Sequence, residues 1–183
     1  MTGGGGGTTI RAAEPADVDA LADTAIAAWE EGFRGIVPER VDPRTAWRPA
    51  RIAERLAAPA ADGSAILAAE VDGDVRGLVL YGPSRDRRAA PREGEIIALY
   101  VHPQNWRSGV GRALVEAALE ALTAAGHSEA IVWTLAESAR NLAFYDSLGF
   151  ARDGGTQRRP SFGSPLEVRF RISLGGREAI ACL

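Results

Sequence analysis

Gly109 and Gly111 stand between a strand-like run and a helix-like run, and that placement points to anion chemistry. Upstream, Glu95-Ile-Ile-Ala-Leu-Tyr-Val101 is apolar and rich in β-branched and aromatic residues. Downstream, Arg112-Ala-Leu-Val-Glu-Ala-Ala-Leu-Glu-Ala-Leu122 is built from strong helix formers. A strand that feeds a glycine loop at a helix N-terminus aims unpaired N–H groups and the positive end of the dipole at one point. Glycines there have no Cβ to hold an anion off the backbone. The pattern predicts a cradle for a phosphate or pyrophosphate.

Periodicity and punctuation give the elements that must position this loop. Thr8-Thr-Ile-Arg11 reads as a short first strand. A helix begins at Asp17, with Val18, Leu21, Ala22, Ala25, Ile26 and Trp29 on one face. Asp42-Pro43 is an N-cap with proline at the first helical position, and Pro49 divides the stretch up to Leu56 into two short helical pieces. Ser64–Val71 and Val75–Tyr81 flank Asp72-Gly-Asp74, a hairpin signal. Pro83 to Glu93 is an arginine-rich loop, and its arginines read as solvated charges, as do Arg158 and Arg159. Ala130–Leu135 is a further strand, Asn141–Leu148 a short helix closed by Gly149, and Glu167–Ser173 a final alternating strand. The order describes one mixed α/β domain from residue 8 to 174, without repeat or internal linker. A glycine-rich tail (1–7) is expected to be disordered, and 175–183 reads as a C-terminal tail.

Composition bounds the function. A chain of 183 residues fits one domain with a real core and needs no disulfide or metal to hold it. All 21 basic residues are arginine, yet the formal net charge is −3, so no broad basic face for nucleic acid is implied. The single cysteine, Cys182, excludes a disulfide framework and a thiolate metal cluster, and no metal site is expected. No apolar run approaches the ~20 residues that span a bilayer, and no signal sequence is evident at the start. A cytoplasmic protein without membrane or nucleic-acid partner is expected, and nothing excludes a homodimer.

Two motifs in order then resemble the GNAT superfamily of N-acetyltransferases, over nearly the whole stretch from Thr8 to Ser173. Leu99-Tyr-Val-His-Pro-Gln-Asn-Trp-Arg-Ser-Gly-Val-Gly-Arg-Ala-Leu114 is similar to that family's Q/R-x-x-G-x-G/A acyl-CoA loop. Trp106 departs from it, standing where glutamine or arginine is usual. Asn141-Leu-Ala-Phe-Tyr-Asp-Ser-Leu-Gly-Phe150 is similar to the N-x-x-A-x-x-F-Y-x-x-x-G-F region near the end of such domains. The resemblance implies a mostly antiparallel central sheet flanked by helices, with acetyl-CoA as cosubstrate. Backbone N–H groups of Arg107, Ser108, Gly109, Val110, Gly111 and Arg112 would hold the pyrophosphate. The strand edge at Leu99, Tyr100 and Val101, with a bulge near it, would pair with the pantetheine arm and polarise the thioester carbonyl, while Asn141 holds the pantetheine side.

Acetyl transfer to nitrogen needs an uncharged amine. A lysine-like amine is neutral only to a few parts in ~10⁴ at pH 7, whereas an α-amine is roughly a tenth neutral. A general base therefore helps, and Glu95 is the candidate, with Glu93 in reserve. Tyr145 is the candidate acid for the departing thiolate. No acyl-enzyme is implied, because no Ser/His/Asp set is apparent. Trp29, Phe33 and Trp47 fall where similar proteins shape the acceptor pocket, with Glu30 and Glu31 beside them to attract a cation. These features favour a small amine with an apolar or aromatic body over an acidic metabolite or a folded protein. A protein or peptide N-terminus as acceptor is one alternative, and a non-catalytic acyl-CoA sensor is another. A dinucleotide fold is disfavoured, because Leu114 occupies the third glycine position.

Overall fold

The computed structural model describes residues 7–57, 63–160 and 163–175; the expected glycine tail up to Gly6, the C-terminal tail beyond Gly175 and Cys182 lie outside them. The strands are β1 (Thr8–Ala12), β2 (Ala65–Val71), β3 (Asp74–Pro83), β4 (Glu93–Val101), β5 (Glu129–Leu135), β6 (Ala151–Arg158) and β7 (Leu166–Ser173). The helices are α1 (Val18–Gly32), α2 (Pro43–Ala46), α3 (Pro49–Ala57), α4 (Val110–Ala124) and α5 (Ala139–Ser147). All seven strands form one sheet in the order β1-β2-β3-β4-β5-β7-β6. Its neighbours are antiparallel except β4 and β5, which α4 connects as a parallel crossover.

Alternation along the central strands sends side chains to two helical layers. Val79 and Ile96 face the layer of α4, whose Val110, Leu114, Val115, Leu119 and Leu122 are buried among them and Phe170. Leu78 and Leu80 face the opposite layer, where Leu21, Ala22 and Ala25 of α1 pack with Ile52 of α3. The expected turn joins β2 to β3, with Asp72 and Gly73 both at positive φ (55° and 88°), as a two-residue hairpin requires. Asp42 caps α2 as expected, its Oδ1 accepting from the Arg44 amide at 2.9 Å.

β6 is the element that periodicity does not reveal. Its side chains are mostly exposed and its Asp153-Gly154-Gly155 segment is skipped in the pairing with β7, between Arg152↔Phe170 and Thr156↔Val168. Ion pairs hold it instead. Asp153 Oδ2 accepts from Arg169 Nε at 2.8 Å and Arg171 Nε at 3.0 Å, and Arg169 also reaches Asp86 in the loop after β3 at 2.6 Å. Arg171 Nη1 goes on to Glu93 at 2.7 Å and Glu129 at 2.8 Å, so one guanidinium joins β7 to both members of the parallel pair.

Breaking a buried pair leaves an uncompensated charge, and the Glu93 side chain is only 2% exposed. Arg171→Met should therefore lower stability by about 3–5 kcal/mol in urea unfolding, and adding Glu93→Gln should restore part of it. A loss within the roughly 0.5 kcal/mol of ordinary surface changes would show that the cluster is decorative.

At the start of α1, Arg11 grips Asp17 with two bonds of 2.7 and 2.9 Å, and the Glu14 amide adds a third at 2.8 Å. The Arg11 contact, with help from that amide, holds the Asp17 carboxyl below its ordinary 3.8 despite burial. A depressed folded value contributes stability that is complete above the unfolded value and lost as pH falls through the folded one. Asp17→Asn should thus lower the melting temperature at pH 6 and converge on the parent in acid, as pH falls below the lowered folded value. Equal destabilisation at both pH values would exclude this linkage.

Candidate active site

The sheet opens where the chemistry is expected. β4 and β5 pair only from Glu93↔Glu129 to Ile96↔Val132. Beyond that point β4 carries the expected bulge: Leu80 of β3 faces Ala98 and Tyr81 faces Ile96, so Ile97 is unmatched. A bulge bends its strand and increases local twist. The strands separate, and the β5-facing edge of β4 from Ile97 to Val101 has no strand partner.

A cleft of about 630 Å³ runs along that edge, bounded by Leu99, Tyr100, Val101, Gly109, Gly111 and Asn141, with Arg107 and Arg112. Gly109 begins α4 in the left-handed region, φ 92°, and no side chain caps the helix. The first amides of α4 are therefore uncapped by side chains at the end of the cleft. A Cβ on Gly111 would lie 3.4 Å from the Phe144 ring and 3.7 Å from Val101, taking up the narrow space between α4 and α5. Ser108 and Val110 contribute only backbone here: the Ser108 hydroxyl donates to the Asn105 carbonyl at 2.7 Å, and the Val110 side chain is in the core. Asn105 Oδ1, buried on the same wall, accepts no hydrogen bond. The cleft thus joins an open strand edge to the uncapped amides at the start of a helix.

Trp106, the departure from the family pattern, acquires a structural role. Its indole N–H donates to the Val101 carbonyl at 2.6 Å, tying the loop back to the end of β4. The Arg140 guanidinium of α5 lies 3.8 Å over the same ring, across the cleft from the loop. Arg140 and Phe144 were not anticipated as lining residues, although they precede and follow Asn141 on one helix.

A second cavity of about 440 Å³ occupies the split itself, between Ile97–Tyr100 of β4 and Trp133–Leu135 of β5. It shares Phe33, Leu99, Tyr100 and Asn141 with the first, so the two meet at the strand edge. Trp29, Phe33 and Trp47 all line it. Trp29 meets Phe33 edge-on at 4.9 Å, and Trp47 meets Tyr100 edge-on at 5.0 Å. Glu30 and Glu31 do not line it. They pair with Arg44 at 2.8 Å and Arg34 at 2.7 Å on the exposed side of α1, which corrects the expectation that they draw a cation inward.

Tyr145 brings its ring against Phe144, Phe150 and Phe170 while facing the second cavity. Burial pushes its phenol well above the usual tyrosine value, so it stays protonated at neutral pH. Glu95 is buried at 2% exposure, and Arg85 holds both of its oxygens through Nη2 at 2.7 Å, Nε at 3.1 Å and its own amide at 2.9 Å. Arg85, not Glu95, forms the wall. Glu93 lies at the paired end of the strands with Arg171. The carboxylates on the wall are Asp42 and Glu167, and Glu167 is held by Gln157 at 2.7 Å and Arg159 at 3.2 Å. Arg85 and Arg159 thus leave the class of solvated loop charges to which sequence assigns them.

The cradle makes a direct prediction. Gly109→Val would place a β-branched residue at φ 92° and strain the loop itself, so Gly111 is the cleaner position. Gly111→Val should remain folded and lose CoA affinity by about tenfold or more in calorimetry, an effect of at least ~1.4 kcal/mol. Near-parental affinity in the folded variant would remove the pyrophosphate from this loop.

Comparison with known proteins bears on the family and the fold. Residues 24–150 match the model of the acetyltransferase (GNAT) family. The chain is 35% identical over 102 residues to a mycothiol acetyltransferase of Sanguibacter keddieii, which covers 55% of this chain and 32% of that protein. It is 26% identical over 139 residues to the N-acetyltransferase YuaI of Bacillus subtilis, covering 76% and 78% of the two chains. The chain thus spans about a third of the length of the mycothiol enzyme that it matches. Among solved structures, the acetyltransferase yncA of Salmonella typhimurium with acetyl-CoA superposes with a TM-score of 0.73 at 22% identity, over 96% of this chain and 99% of that one. No helix among the described residues is long and apolar enough to cross a membrane. With its sheet order, split strands and glycine loop, this chain belongs to the acetyltransferase (GNAT) family.

Proposed function

We propose that the protein transfers an acetyl group from acetyl-CoA to the primary amine of a small molecule by direct attack in a ternary complex. One observation carries the reading: the aromatic cavity of about 440 Å³ joins the glycine-loop cleft at Leu99, Tyr100 and Asn141. Its volume suits a small ligand. Bound acetyl-CoA supplies the thioester. The amine nitrogen forms a bond to the acetyl carbon, the carbon–sulfur bond breaks, one amine proton leaves, and the thiolate takes up a proton. The exposed β4 edge offers backbone N–H groups to the carbonyl oxygen. Asn141, which donates to Thr134 Oγ1 at 3.3 Å, is fixed on α5 at the junction of the cavities.

Tyr145 is the donor to sulfur in this reading, since its phenol is protonated at neutral pH and the residue lines the cavity with Asn141 of the same helix. The base takes a different form from the sequence expectation. Glu95 anchors Arg85 through three bonds, and Glu167 presents a carboxylate at the wall beside Tyr100 and Tyr145. Glu167, directly or through water, receives the amine proton, and Glu95 acts by positioning Arg85.

Thiol release from acetyl-CoA, measured across amines, amino acids, polyamines and peptides, tests the activity; CoA binding without turnover on any acceptor would indicate a sensor. With an active acceptor, Tyr145→Phe should lower kcat by roughly 10²-fold with little change in the KM for acetyl-CoA. Glu167→Gln should lose activity at neutral pH and recover at high pH, where the amine deprotonates unaided. If Glu95→Gln shows that recovery and Glu167→Gln keeps the parental pH profile, the base is Glu95.

A further inference from the structure

The charge of the acceptor cavity has the opposite sign to the one that Glu30 and Glu31 suggest. Four arginines reach its wall, Arg51, Arg55, Arg85 and Arg159, against the two carboxylates Asp42 and Glu167. Arg85 is neutralised by Glu95, and Arg159 lies against Glu167. The remaining pair is different. Arg51 and Arg55 stand one turn apart on α3, on the same side of the helix. Arg55 donates to the Ser64 hydroxyl at 3.0 Å, a neutral partner that orients the guanidinium without cancelling its charge. The Arg51 amide donates to the Arg48 carbonyl at 3.0 Å, while its guanidinium makes no ion pair or hydrogen bond among the described residues. Two guanidiniums with no carboxylate partner among the described residues thus border an aromatic cavity whose edge at Leu99, Tyr145 and Glu167 is built from β4, α5 and β7.

Resting on the acetyltransferase reading above, we infer that the acceptor carries an oxyanion, a carboxylate or phosphonate, as well as its primary amine, and that Arg51 and Arg55 bind it. Guanidinium forks match such planar or tetrahedral anions through charge-assisted hydrogen bonds. Between the two charged ends, the walls of Trp29, Phe33, Trp47 and Tyr100 suit an apolar or aromatic body. The anion at α3 leaves the amine to point toward the strand edge, so the same contact sets orientation as well as affinity. A cationic polyamine meets two uncancelled positive charges here and is disfavoured.

Matched acceptors test this. Phenylalanine is compared with its amide and its aminophosphonate analogue, and 4-(aminomethyl)benzoate with its amide, each by thiol release and by calorimetry against the CoA-loaded protein. Amidation lowers the basicity of the phenylalanine amine and favours attack, so it biases that series against the inference. The oxyanion compounds of at least one series should exceed their amides about tenfold in kcat/KM or affinity, the scale of one charge-assisted bond. Carboxylate and phosphonate arms show which anion fits. Arg55→Gln should bring the ratio to about one, and Arg51→Gln, where the side chain has no partner among the described residues, should reduce it without the risk of disturbing Ser64; Arg51→Lys should keep part of it. Amides equal to or better than the oxyanions in both readouts, or ratios unchanged in both glutamine variants, would overturn the inference. Arginine-dependent binding of the oxyanion compounds without any thiol release would uphold anion recognition and defeat the acetyltransferase reading instead.

Discussion

The structure depends on a seam that is hydrogen-bonded at one end and open at the other. Only four residue pairs join β4 to β5 before the Ile97 bulge turns β4 away. An unpaired strand edge inside a sheet is normally costly, because its N–H and C=O groups lose water without gaining partners. Here the edge borders both cavities, so the groups stay accessible and can be satisfied by a ligand that behaves as a strand. The glycine-loop cleft, the aromatic cavity and their junction at Leu99 and Tyr100 all lie along that divergence.

The layers on either side keep the seam open without filling it. α4 buries its apolar face completely against β3, β4 and Phe170, which sets its N-terminus over the cleft. α1 and α3 pack on the opposite face and carry Trp29, Phe33, Arg51 and Arg55 to the second cavity. α5 buries only Tyr145 fully, and it supplies Asn141 and Tyr145 at the second cavity and Arg140 over Trp106. Rigid packing sits beneath the site, and the adaptable polar groups sit on it.

Much of this was legible in the sequence, for reasons that differ by element. Buried strands such as β3 and β4 announce themselves because both faces are apolar, and α4 because its buried face repeats at helical spacing. The glycine loop is legible because backbone chemistry demands particular residues locally. β6 was not, since exposed side chains and two glycines carry no periodic signal and pairing with β7 overrides local preference. The charged groups of the acceptor cavity were the least readable. Arg85 and Glu95 lie on either side of a loop, and Arg159 and Glu167 flank another, so their pairing exists only after strands bring them together. An arginine in a loop reads as solvated until its carboxylate is located. Trp106 shows the converse: a departure from the expected residue type proves to be a well-bonded anchor.

Arg171 closes the paired end of the seam. Its guanidinium touches Glu93 and Glu129, the first paired residues of the two diverging strands, while the open edge at Leu99 lies three residues past the last pair, roughly 10 Å beyond it at strand rise. The two strands are thus clamped by charge where they pair and are free of each other beyond Ile96, so the ionic cluster marks the end from which the gap opens.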